Sequence, residues 1–86
     1  MPRFRRIPTE IEAFQFQGCT GELVEWAHKY GDQGMVFFPF PRVDVLTEQG
    51  QWVSVRVGEW IIPDQSHGRF YPVADEVFQK LYQPVD

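Results

Sequence analysis

The residue types best suited to catalysis lie in one short loop, where Asp64, Ser66 and His67 supply the side chains of a hydrolytic triad. A triad needs its nucleophile, its base and the orienting carboxylate on separate backbone supports. Three side chains within four residues do not aim at one another in that way. A polar turn, in which Asp64 and Ser66 bond nearby backbone groups, explains the pattern better. We therefore predict no catalytic residue in this loop.

Metal and thiol chemistry have equally little support. His28 and His67 are the two histidines, and no HxxxH or HxH spacing connects them. Cys19 is the single cysteine, which excludes an internal disulfide, a CxxC redox pair and a zinc site with several thiolates from one chain. It precedes a predicted helix, whose dipole favours a thiolate, but no base stands at a recognisable spacing. We predict no metal site, no cofactor and no enzyme activity.

Phosphate recognition has two weak candidates. The stretch Gly18 to Gly21 precedes a predicted helix but lacks the lysine and the wider glycine spacing of a phosphate loop. Residues 1–8 form a predicted basic N-terminal arm containing Arg3, Arg5 and Arg6. Residues 7–86 then keep five basic against 12 acidic side chains, a formal charge of −7. We expect a solvated arm, or one paired with Glu10 and Glu12, and no nucleic-acid partner.

The elements that position these residues predict one α+β domain over residues 1–86. Leu23, Trp26, Ala27 and Tyr30 recur at helical spacing, so a helix is predicted over residues 22–29, capped by Thr20 and stopped by Gly31. Alternating residues predict a hairpin over residues 43–57, with further strands near both ends. A second helix is predicted in residues 74–82. No βαβ repetition occurs, so the sheet should be short and mostly antiparallel.

An aromatic segment, residues 37–42, is the most informative stretch. Phe37, Phe38 and Phe40 are interrupted by Pro39 and followed by Pro41 and Arg42. Three phenylalanines in a connector must either cover the core or present an apolar face to a partner, since aromatic and Arg side chains are typical of binding surfaces. The sequence leaves both alternatives open. Trp52, after the hairpin turn, either stacks on Trp60 or stands exposed.

Three stretches of the chain resemble a family of small bacteriophage and prophage proteins. Residues 3–8 and 11–18 are similar to its basic start and IEA-x-Q-aromatic strand, residues 57–62 to its Pro-Gly-Asp-Tyr/Trp-Ile-Ile element, and residues 68–72 to its GEFYP segment. The closing Val77-Phe78 and Tyr82 to Val85 also follow the family pattern. Val57 and Glu59 depart from it, and residues 35–42 have no counterpart. The resemblance implies a phage origin but supplies no catalytic residues, because the family is mostly without an assigned activity.

These observations predict a small protein acting in the cytoplasm of a bacterial host. No apolar run has the length of a signal peptide or a membrane span, so no membrane association is expected. The preferred function is a non-enzymatic module that binds and modulates a host protein. Capture of a small anionic or nucleotide ligand, and structural self-assembly as a homo-oligomer, remain as alternatives. The candidate interface is formed by Phe37, Phe38, Phe40, Arg42 and Trp52.

Overall fold

A computed structural model of the chain describes residues 12–39 and 41–82 and confirms the small α+β domain. Two helices and six strands follow one another within these residues. They are β1 (Phe14–Gln15), α1 (Gly21–Tyr30), β2 (Met35–Phe37), β3 (Val43–Leu46), β4 (Trp52–Val55), β5 (Trp60–Pro63), β6 (Phe70–Val73) and α2 (Asp75–Leu81). A 3-10 turn, Asp32–Gly34, connects α1 to β2.

The strands divide into two antiparallel three-stranded sheets. One has the order β1-β5-β6 and the other β2-β3-β4. The predicted hairpin is β3 and β4, in which Val43 pairs with Val55 and Leu46 pairs with Trp52. Because β1 pairs with β5, the first strand of the chain lies far from its sheet neighbour in sequence.

Helix α1 has the predicted cap and stop residues, Thr20 and Gly31, and extends one residue beyond the predicted range 22–29 at each end. The Thr20 hydroxyl accepts a hydrogen bond from the Leu23 N–H at 3.3 Å, which satisfies one of the free donors of the first turn. Gly31 follows the helix with φ 107°, in the left-handed region that favours glycine. The helix buries Leu23, Trp26 and Ala27 against both sheets' core residues.

One hydrophobic core is shared by α1 and the two sheets. Phe16 and Phe70 are its largest fully buried side chains, and Val43, Val45 and Val55 line it from the β3–β4 hairpin. The Trp26 ring is surrounded by the rings of Phe14, Tyr30 and Phe70, with centroid separations of 5.1–5.7 Å. These rings account for much of the apolar area that a chain of this length needs to bury.

Helix α2 is attached to the domain by an aromatic stack instead of by a buried face. None of its residues is buried, but the Phe78 ring stacks on Trp60 at 4.0 Å between centroids. The Trp60 Nε1–H donates to the Asp75 carboxylate at 2.8 Å, which lowers the pKa of Asp75. Trp60 therefore holds both the first turn and the middle of the helix.

Within the described residues, no helix is both long enough and apolar enough to cross a bilayer.

Candidate binding surface

The outer face of the β2–β3–β4 sheet brings together the main predicted interface residues. Side chains alternate along each strand, so one set enters the core and the other faces away from it. Val43, Val45 and Val55 point inward, whereas the outward set is half-buried or exposed. We define the outer face by its residues, which are Val36, Phe38, Arg42, Asp44, Leu46, Trp52, Ser54 and Arg56.

A polar cluster occupies the middle of the outer face. Arg42 donates from Nε and Nη2 to the two carboxylate oxygens of Asp44, each at 3.1 Å. The Ser54 hydroxyl donates to the same carboxylate at 2.8 Å. The Arg42 guanidinium lowers the pKa of Asp44, and the Asp44 carboxylate in turn raises the pKa of Arg42. The bidentate pair fixes the orientation of the guanidinium plane.

The aromatic segment divides between the core and the outer face. Phe37 is half-buried and packs against the core, so it belongs to the inner side of β2. Phe38 is half-buried on the other side, where the Arg42 guanidinium lies 4.4 Å from its ring centroid. The Phe38 N–H donates to the Arg42 carbonyl at 3.2 Å, which continues the β2–β3 ladder. Phe40 lies outside the described residues.

Trp52 supplies the largest exposed apolar side chain of the outer face. It is 48% exposed and pairs with Leu46 across the hairpin. Trp60 lies in the other sheet, stacked on Phe78, so the exposed alternative for Trp52 is the one observed. Val36, also exposed, extends the apolar surface on β2.

The loop with triad residue types is held as a turn. The Asp64 carboxylate accepts from the Gln65 N–H at 2.8 Å, and the Ser66 N–H and hydroxyl both donate to Glu48, at 2.9 and 3.2 Å. His67 is exposed. In the described part of the chain, no hydrogen bond joins Ser66 to His67, so the three residues are not arranged as nucleophile, base and orienter.

The histidines and the cysteine are likewise dispersed. His28 is bonded to Asp32 on the exposed side of α1 at 3.0 Å. The exposed Cys19 thiol donates to the Arg42 carbonyl at 3.4 Å. Over residues 12–39 and 41–82, no three His, Cys, Asp or Glu side chains are grouped as a metal site.

Two contacts near α1 were not predicted. Glu12 accepts from Lys29 at 3.1 and 3.3 Å and from Tyr30 at 3.1 Å, and the bond from Lys29 lowers the pKa of Glu12. The predicted arm, residues 1–8, and Glu10 lie outside the described residues. Of the site contacts that were not predicted, only the pairing of Arg42 with Asp44 could have been inferred from spacing. The two residues are two positions apart, and i and i+2 side chains lie on the same side of a strand.

Comparisons with protein-family models, with curated proteins and with solved structures find no match to this chain.

Proposed function

We propose that this chain is a non-enzymatic, phage-encoded binding module that modulates a protein in the cytoplasm of its bacterial host. The phage origin rests on the resemblance of residues 3–8, 11–18, 57–62 and 68–72 to the small phage and prophage proteins. The binding role rests on the outer face of the β2–β3–β4 sheet. Its central residues are Phe38, Arg42 and Trp52.

The observation that carries the binding role is the combination of an exposed ring with a fixed cation on one sheet face. Trp52 is half-exposed at one end of the face, and Arg42 lies over Phe38 at the other. Trp, Tyr and Arg are the side chains that most often dominate protein interfaces. Because Asp44, which itself accepts from the Ser54 hydroxyl, already holds the guanidinium, a partner binds a preorganised surface and less side-chain entropy is lost.

The same cluster argues against capture of a small anion at this face. Two of the three guanidinium nitrogens of Arg42 already donate to Asp44. An incoming phosphate or carboxylate would meet the negative charge of Asp44 a few ångströms away. A partner protein with an apolar centre, packing on Trp52 and Phe38, avoids that repulsion.

Affinity capture from a bacterial lysate, with matched surface variants, tests this proposal. Trp52→Ser removes the exposed ring of the outer face. As the matched control, Leu81→Ser removes an aliphatic side chain, 67% exposed, from α2. We expect one stoichiometric protein to be retained by the wild type and by Leu81→Ser and to be lost with Trp52→Ser. The proposal is contradicted if no retained protein depends on Trp52, or if Leu81→Ser alone abolishes retention.

A further inference from the structure

The sheet edges of the described residues differ in how well they are protected from pairing with another strand. Edge strands are commonly shielded by shortness, proline or charge. β1 has two residues, and β2 has three and runs into Pro39. β6 carries Pro72, which has no N–H to offer. β4 has four residues, Trp52–Val55, with neither a proline nor a charge among them.

The backbone of β4 has donors and acceptors available on its outer edge. The Thr47 N–H donates to the Gln51 carbonyl at 2.9 Å, so this pair is one of the hydrogen-bonded pairs of the β3–β4 ladder. In an antiparallel ladder alternate residues face the partner, so Val53 and Val55 bond to β3 while the N–H and C=O of Trp52 and Ser54 point away. Among the described residues, no other strand pairs with β4.

We propose that β4 pairs antiparallel with β4 of a second copy of this chain, about a twofold axis at Val53. In this register Trp52 of each chain faces Ser54 of the other, and both residues of each pair present their free N–H and C=O. Four N–H···O hydrogen bonds form, two in each pair. The strand is its own complement, as an isologous interface requires.

Side-chain chemistry selects a second copy over an unrelated strand. On the outer face, diagonal neighbours two residues apart lie within reach of aromatic and long side chains. Trp52 then lies diagonal to both Trp52 and Arg56 of the second copy. Arg56 is exposed, and within the described residues its hydrogen bonds are made by its backbone alone: its N–H donates to the Glu59 carboxylate at 2.7 Å and its carbonyl accepts from the Glu59 N–H at 3.0 Å. A guanidinium placed on an exposed indole forms a cation–π contact.

The pairing makes one continuous six-stranded sheet from two chains and places their two outer faces side by side. This inference does not rest on the proposed function, since it concerns only the backbone edge, Trp52 and Arg56. It is tested on the purified protein alone, without any host component.

Sedimentation equilibrium over a wide protein concentration range measures the association. Ser54→Pro removes an outward N–H and leaves the β3–β4 ladder donors in place, although it deletes the bond to Asp44. Arg56→Glu replaces the cation by a carboxylate. Lys80→Glu makes the same charge change on exposed α2 and serves as the control. Circular dichroism establishes whether each variant is folded. If Ser54→Pro is not folded, the comparison of Arg56→Glu with Lys80→Glu alone tests the proposal.

We expect the wild type and Lys80→Glu to pass from 10.1 kDa towards twice that mass as concentration rises. Ser54→Pro should remain monomeric, and Arg56→Glu should weaken association by roughly tenfold or more. A wild type that is monomeric up to about 1 mM would overturn the proposal. A dimer in which Arg56→Glu behaves like Lys80→Glu would overturn it equally.

Discussion

At the scale of single residues, a close backbone approach joins the turn after α1 to the loop before β6. The Gly68 N–H donates to the Tyr30 carbonyl at 2.8 Å, and Gly31 and Gly34 lie directly against Gly68. Gly34 has no positive φ, so its conformation does not require glycine. Space requires it, because a Cβ there would overlap the Gly68 carbonyl.

Gly34→Ala should therefore lower the free energy of unfolding by at least about 2 kcal/mol, the cost of forcing extra atoms into a packed contact. Gly21→Ala is the matched control, because a Cβ at Gly21 meets nothing within 4 Å. It lies in the first turn of α1, where alanine is the better helix former, so it should leave stability unchanged or slightly higher. Urea unfolding of both variants measures the difference, and equal midpoints would contradict the packing argument.

Tyr71 gives the domain a specific alkaline response. Burial, together with the hydrogen bond to Tyr82 at 3.2 Å, raises the pKa of Tyr71 to about 12 from 10.0. The folded chain thus holds this proton more tightly than the unfolded chain. The resulting stabilisation is complete below about pH 10 and is lost as pH rises through 12.

A tyrosinate absorbance titration should show a late step that Tyr71→Phe removes. Tyr71→Phe should also flatten the decline of unfolding free energy above pH 10. Unchanged late ionisation in Tyr71→Phe would assign the step to another tyrosine.

At the scale of elements, local sequence patterns were enough to predict α1 and the β3–β4 hairpin. The arrangement of the other elements depends on pairing between residues that are far apart in the sequence. Thr20 and Gly31 mark the ends of α1 because capping acts within a few residues. The pairing of β1 with β5 brings Phe14 to Ile61, and no local pattern encodes that register. The attachment of α2 through Trp60 and Asp75 could not be predicted from local sequence either, since it joins residues from different elements.

Thr20→Ala should lower the free energy of unfolding by about 1 kcal/mol, the usual cost of losing a helix N-cap. Thr20→Ser keeps the accepting hydroxyl and should retain most of that stability. Urea unfolding of the two variants isolates the cap, and equal losses for Ala and Ser would show that the hydroxyl bond to Leu23 contributes nothing.

Phe78→Ala should release α2 while leaving the two sheets folded. The helix has no buried residue, so the stack on Trp60 is its main apolar contact with the domain. Amide hydrogen exchange should show faster exchange in Asp75–Leu81 and unchanged protection in β3 and β4. Uniform loss of protection across the chain would instead make α2 part of the cooperative core.

At the scale of the whole molecule, the two sheets separate a buried interior from an outer face that is available for binding. The sequence predicted the aromatic segment and Trp52 as candidates but did not assign them to sides. The β2–β3 register decides that assignment, with Phe37 directed to the core and Phe38 to the surface under Arg42. A shift of one residue would have exchanged the two. Asp44 and Ser54 complete the surface from β3 and β4, the two strands of the predicted hairpin, where the Asp44 carboxylate accepts from the Ser54 hydroxyl.

The main proposal is that the side chains of the outer face bind a partner and are not part of the hydrophobic core. The Phe38→Ala, Phe40→Ala double variant tests it most directly, through urea unfolding and lysate capture on the same preparation. Because Phe38 is half-buried beneath Arg42, its change to alanine should lower the unfolding free energy by about 1–2 kcal/mol, and we predict a folded double variant that no longer retains the wild-type partner. A double variant that unfolds, or one that stays folded and still retains the partner, would contradict the account.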